Sequence, residues 1–80
     1  MSAPTTPDTL AAHPAISGAP PQRAAAMRYQ AARLNNTSAI LHRMTMRDKT
    51  PDQDALLLVE LSEAVAVLLH HTAAEIERGA

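Results

Sequence analysis

The sequence predicts an all-α protein: a helical hairpin of two long antiparallel helices, preceded by a proline-rich N-terminal arm and assembling into a helical-bundle homo-oligomer. Three observations carry this reading. All prolines but Pro51 fall within residues 1–21. Two stretches after that point repeat their apolar residues at helical spacing. Between them, Thr50-Pro51-Asp52-Gln53 reads as a helix start.

The arm, residues 1–20, has the composition of an extended or partly disordered segment, rich in Pro, Thr and Ser. Asp8 can cap one helical turn through Thr9, Leu10, Ala11 and Ala12, which Pro14 ends. Leu10 and Ile16 then stand as apolar pegs able to dock on a neighbour. The first long helix is expected near 21–46, opening on Pro21 at its first position. Ala24, Met27, Ala31, Leu34, Ser38, Leu41 and Thr45 follow alternating steps of three and four, which places them on one stripe. Asn35-Asn36-Thr37-Ser38 are poor helix formers, so a kink or frayed turn is expected there. Tyr29, Arg33, Asn36, Arg43 and Arg47 lie elsewhere on the helix as a basic, solvated stripe.

The second helix is expected near 51–78. Thr50 acts as cap, Pro51 takes the first position, Gln53 completes a capping box, and Gly79 is the stop. Asp52 and Asp54 add negative charge where the helix dipole favours it. Glu60, Glu63, His70, His71 and Arg78 share a narrow polar stripe, and the remaining arc of about 220° is apolar, far beyond the roughly 100° that one partner needs. One face is bulky: Leu58, Leu61, Val65, Leu68, Leu69 and Ile76. Beside it lies a face of small residues, Ala55, Ser62, Ala66 and Ala73, that another helix can approach closely. The first helix cannot cover both, so the bulky face is the expected oligomer interface, in a dimer or a larger ring of dimers.

Composition narrows the chemistry. An 80-residue chain is one small domain near the lower limit for a self-sufficient core, and Tyr29 is its lone aromatic residue. Without cysteine, disulfides and Cys-based zinc sites are excluded. A net charge of −1 argues against generic nucleic-acid binding. The strongest apolar run, 64–69, is too short to cross a bilayer, and no basic segment followed by an apolar one precedes it, so no membrane contact and a cytoplasmic setting are expected. No Gly-rich phosphate loop is present. His70 and His71 point about 100° apart and do not grip one metal comfortably, and Glu60 and Glu63 lack further ligands on the first helix. The reading is therefore of a protein that is not an enzyme and uses neither cofactor nor metal.

The string Thr50-Pro51-Asp52-Gln53-Asp54-Ala55-Leu56-Leu57-Leu58, then Leu61-Ser62-Glu63-Ala64-Val65 and Ala73-Ala74-Glu75-Ile76-Glu77-Arg78, resembles a hairpin family of bacteriophages. These are the small anti-CBASS and Thoeris anti-defence "sponge" proteins, whose second helix has the pattern P-x-x-[ED]-x-x-x-A-L-x-x-L-E-E-A-V and ends in A-A-I-x-R. Upstream, Ala12-His13-Pro14, Gln22 and Met27-Arg28 stand where that family has a His-Pro-like segment, a Gln and an Ile-Arg pair. The similarity spans most of 10–78, with its specific part at 50–78. It implies a homodimer or hexamer in the host cytoplasm that holds a cyclic di- or trinucleotide, or a cyclic ADP-ribose-type signal, between protomers without degrading it. Arg28, His13, Tyr29 and Gln22 are then the ligand-binding candidates. One departure bears on this: the family's base-stacking aromatic is replaced by Leu10, Ala11 or Ala12, leaving His13 or Tyr29 to stack. A guanidinium at the edge of the core stripe, as Arg28 is, can hold a phosphate bidentately. The alternative reading is a small protein-binding regulator, an anti-activator or adaptor, acting through a dimeric bundle.

Overall fold

The computed structural model describes residues 12–79, and every regular element among them is helical. A short helix α1 spans Pro14–Ser17, α2 spans Pro20–Thr45, and α3 spans Gln53–Gly79. Residues 9–11 of the helical turn expected in the arm, Leu10 included, lie outside the described residues. The segment expected to be extended instead contains α1. His13 caps it, its Nδ1 accepting from the Ala15 N–H at 3.1 Å, and Pro14 supplies a preset first position. Ser17 Oγ donates back to the His13 carbonyl at 3.1 Å.

Helix α2 opens at Pro20, one residue before the expected start. Gln22 Oε1 accepts the Ala19 N–H at 3.1 Å, half of a capping box, since Ala19 has no side-chain acceptor to return the bond. The helix runs unbroken through 35–38, where a kink or frayed turn was expected. Ser38 is buried there, and its hydroxyl donates to the Asn35 carbonyl at 3.0 Å, which satisfies it within the helix. Four expectations about α3 need correction, two of them together: Pro51 stands before the helix rather than at its first position, and the Gln53 amide donates to the Pro51 carbonyl at 3.4 Å instead of completing a capping box. Asp52, rather than Thr50, is its cap: Asp52 Oδ1 accepts from the Asp54 N–H at 2.9 Å and the Ala55 N–H at 3.4 Å, and the helix begins at Gln53. A carboxylate is at least as good a cap as a hydroxyl and also meets the helix dipole. Nor does Gly79 stop the helix by a left-handed turn: it belongs to α3, and no described glycine has a positive φ.

α2 and α3 pack along a seam of small side chains at seven-residue intervals. Ala24, Ala31, Ser38 and Thr45 are buried on α2, and Val59, Ala66 and Ala73 on α3. A heptad of small residues lets two helix axes approach closely and recurs at the 3.5-residue period of a supercoiled pair. The Arg28 guanidinium donates to the Glu77 carboxylate across the pair. Carried along antiparallel helices, that contact brings Ala31 near Ala73, Ser38 near Ala66 and Thr45 near Val59. The molecule is 14 Å in its smallest dimension, about one helix thick.

Among the described residues, that thinness leaves both broad faces uncovered. One carries Arg28 and Asn35 of α2 beside Glu63, His70 and Glu77 of α3. On the other, Met27, Leu34 and Leu41 of α2 flank the seam opposite Leu69 and Ile76, all half-buried. Beyond them on α3, Leu58 (57% exposed), Leu61 (52%), Val65 (44%) and Leu68 (63%) stand in solvent. As a whole, α3 is long and apolar enough to cross a membrane by length and composition, with a mean hydropathy of 1.4 over 18 residues. Counting one unbroken apolar run concealed this, because Glu60, Glu63 and the His pair interrupt an otherwise apolar helix.

Candidate functional site

The four ligand-binding candidates gather at the end of the molecule away from the 46–52 connection. His13 and Pro14 begin α1, α1 packs on the start of α2, and Gln22, Arg28 and Tyr29 lie in the first ten residues of α2. The C-terminal end of α3 joins them through Glu77. Each candidate has an occupation within the chain. The His13 imidazole and the Gln22 amide serve as caps. Arg28 is paired with Glu77, both side chains about half exposed. Tyr29 is exposed, and the Arg33 guanidinium sits over its ring, 5.7 Å from the centroid. At that distance the contact is a cation–π pair.

Arg28 does not lie on the apolar face. Relative to Ala31 it projects from the edge of α2 opposite Leu34 and Leu41, on the face shared with Glu77. A second copy laid on the exposed leucines would leave it outside that contact. The residues expected at the oligomer interface divide in two. Leu58, Leu61, Val65 and Leu68 are free for a partner, whereas Leu69 and Ile76 are half-buried along the seam with α2.

Two features were missed from sequence. The first is the role of Glu77 as the counter-ion of Arg28, which only the antiparallel register reveals. The second is the charge segregation between the helices. α2 carries Arg23, Arg28, Arg33 and Arg43 and no Asp or Glu, while Asp54, Glu60, Glu63, Glu75 and Glu77 all sit on α3. That signal is readable in the sequence once the helix boundaries are drawn. Along α2, on the edge next to Leu34, Arg23, Gln30 and Thr37 recur every seven residues. Gln30, Arg33, Leu34 and Thr37 line a shallow, open depression of about 190 Å³ there. Among the described residues, no three His, Asp or Glu side chains gather as metal ligands. Glu75 on α3 pairs with Arg78 and approaches His71 at 3.8 Å, an arrangement on the helix surface.

No family model, no curated protein and no solved structure matches this chain.

Proposed function

We propose that the protein is a non-enzymatic helical hairpin that self-associates through the exposed face of α3 and sequesters a small anionic signal, of the cyclic nucleotide type, at seams between protomers in the host cytoplasm. The observation that carries the reading is the uncovered apolar face. Leu58, Leu61, Val65 and Leu68 stand in solvent on a molecule one helix thick, and such a patch is characteristic of an interface. A second copy covering it would build a bundle and turn the shallow depressions of α2 into seams. Supporting the choice of ligand are the resemblance of 50–78 to the phage sponge proteins and the acid-free, arginine-bearing α2. Holding the ligand needs only a few charge-assisted hydrogen bonds in a concave, partly dry site, so overall neutrality is no obstacle.

Native mass spectrometry with a panel of cyclic dinucleotides, cyclic trinucleotides and cyclic ADP-ribose isomers tests this. The expected result is a defined oligomer that gains whole-number ligand masses and releases the ligand unchanged on denaturation. A monomer, or an oligomer that takes up none of the panel at millimolar concentration, refutes it.

The same exposed leucines favour a second reading, a regulator whose α3 face docks in a partner's apolar groove. A monomer that becomes a stoichiometric heterocomplex in its native cell extract selects that reading.

A further inference from the structure

We infer that a second copy of this chain covers the apolar face, with α2 of each copy lying over α3 of the other. Both 46–52 connections then fall at one end of a four-helix dimer. The arrangement rests on the self-association part of the proposed function and on none of its ligand part.

Three observations select it. The first is a gradient of polarity that both helices share. On α2, one row at seven-residue intervals reads Arg23, Gln30, Thr37 and Met44. The row beyond it reads Ala26, Arg33 and Ile40. On α3 the corresponding rows are Leu58, Val65 and Thr72, then Leu61, Leu68 and Glu75, with Asp54 at the rim in the first turn. Within each row the bulky apolar side chains stand near the 46–52 connection and the polar or small ones away from it. Ile40, Met44, Leu58, Leu61, Val65 and Leu68 are all exposed, so they form one patch at the connection end of the face. The second observation is sign: α2 holds four arginines and no acid, whereas Asp54, Glu60, Glu63, Glu75 and Glu77 all sit on α3. The third is the opposite broad face, where Arg28, Asn35, Glu63, His70 and Glu77 are polar. A second layer is therefore wanted on one side alone, and a two-fold pair satisfies that and closes.

A two-fold axis parallel to the helices keeps every residue at its own height, so the register within the hairpin is also the register between copies. Ser38 lies near Ala66 and Thr45 near Val59 in one chain. Ile40 of one copy therefore stands level with the gap between Leu61 and Leu68 of the other, and Met44 with the gap between Leu58 and Leu61. Apolar end meets apolar end, and the end of α2 with Arg23 and Arg33 comes over the end of α3 with Glu75. Each helix is antiparallel to both of its neighbours, which opposes their dipoles. Turning the second copy end for end stacks α2 on α2 and α3 on α3 instead. That sets the acid-free, arginine-bearing helices together and the acidic helices together, a juxtaposition of like charge that works against association. The size also suits a dimer. The 26 residues of α2 rise about 39 Å and two helices side by side span about 20 Å, so each copy offers roughly 800 Å² in outline, about one partner's share of a standard stable interface.

The chain has no cysteine, so a Lys49→Cys variant of the full chain carries a single nitroxide label, at an exposed position in the connection. Circular dichroism checks its helix content and light scattering its mass. Pulsed electron paramagnetic resonance should then give one distance between copies, below about 30 Å, because both connections lie at one end of two layers about 10 Å apart. An end-for-end dimer separates the labels by roughly a helix length, about 40 Å, and any distance beyond about 30 Å overturns the arrangement. A second measurement uses unlabelled single variants under mild oxidation. Met44→Cys mixed with Leu58→Cys should form a disulfide-linked dimer about tenfold faster than either variant alone, since only the mixture brings two thiols within bonding reach. Either variant alone linking as fast as the mixture overturns the arrangement as well. The outcomes also separate it from the broader reading. A dimer with distant labels removes this arrangement and leaves self-association standing, whereas a monomer at millimolar concentration removes both. A short distance in a dimer that takes up no cyclic nucleotide keeps the arrangement and removes the sequestration role.

Discussion

Replacing Ala66 by leucine tests the seam that holds the two long helices together. Ala66 is 1% exposed, midway along α3, and the antiparallel register brings it near Ser38, itself 3% exposed. No large side chain is fully buried anywhere among the described residues, so the helices meet nearly backbone to backbone. Leucine adds three carbons where the facing surface has no gap to receive them. The helices must separate locally or the side chain must leave its rotamer, at a cost of about 1–3 kcal/mol. Leucine and alanine are both strong helix formers, so propensity accounts for little of that loss. A chain of this length has about 4–12 kcal/mol of stability in total, which makes the loss a large fraction. With a urea slope near 1 kcal/mol per molar, the unfolding midpoint should fall by roughly 1–3 M. Ala64→Leu is the control, because it adds the same atoms at an exposed position of the same helix and should move stability by less than about 0.5 kcal/mol. Midpoints are read by circular dichroism at several protein concentrations, so that self-association is separated from folding. If Ala66→Leu unfolds at or above the natural midpoint, the close-packed small-residue seam is wrong.

Other substitutions address the remaining elements. Leu61→Glu puts a charge in the exposed apolar face and should abolish self-association in light scattering while leaving helix content unchanged; an oligomer that survives it uses another surface. Asp52→Ala removes the cap of α3 and should lower stability by about 1 kcal/mol in a thermal melt, whereas Thr50→Ala should have little effect; the opposite ranking restores Thr50 as the cap. Ser38→Ala exchanges a buried hydroxyl bonded only to its own helix for a better helix former, and should be neutral or stabilise by about 0.5 kcal/mol in urea titration; a loss above 1 kcal/mol means the hydroxyl has a second role.

The sequence by itself determined the all-α class, both long helices to within about two residues, and the stripe of α2 that meets α3. These are legible because helical periodicity is a property of one segment: Ala24, Ala31, Ser38 and Thr45 share a side whatever they pack against. The structure decided what periodicity does not contain. α3 offered a small-residue face and a bulky one, and the small face went to α2, because alanines opposite alanines let the backbones close while Met27, Leu34 and Leu41 fill the flank against Leu69 and Ile76. The leucines at 58, 61 and 68 were thereby left outside. Register across the pair gave Arg28 its carboxylate. Competition between neighbouring caps went to Asp52 over Thr50. Each of these outcomes depends on which two surfaces meet and at what offset. That is a relation between distant residues, absent from the local pattern of either helix.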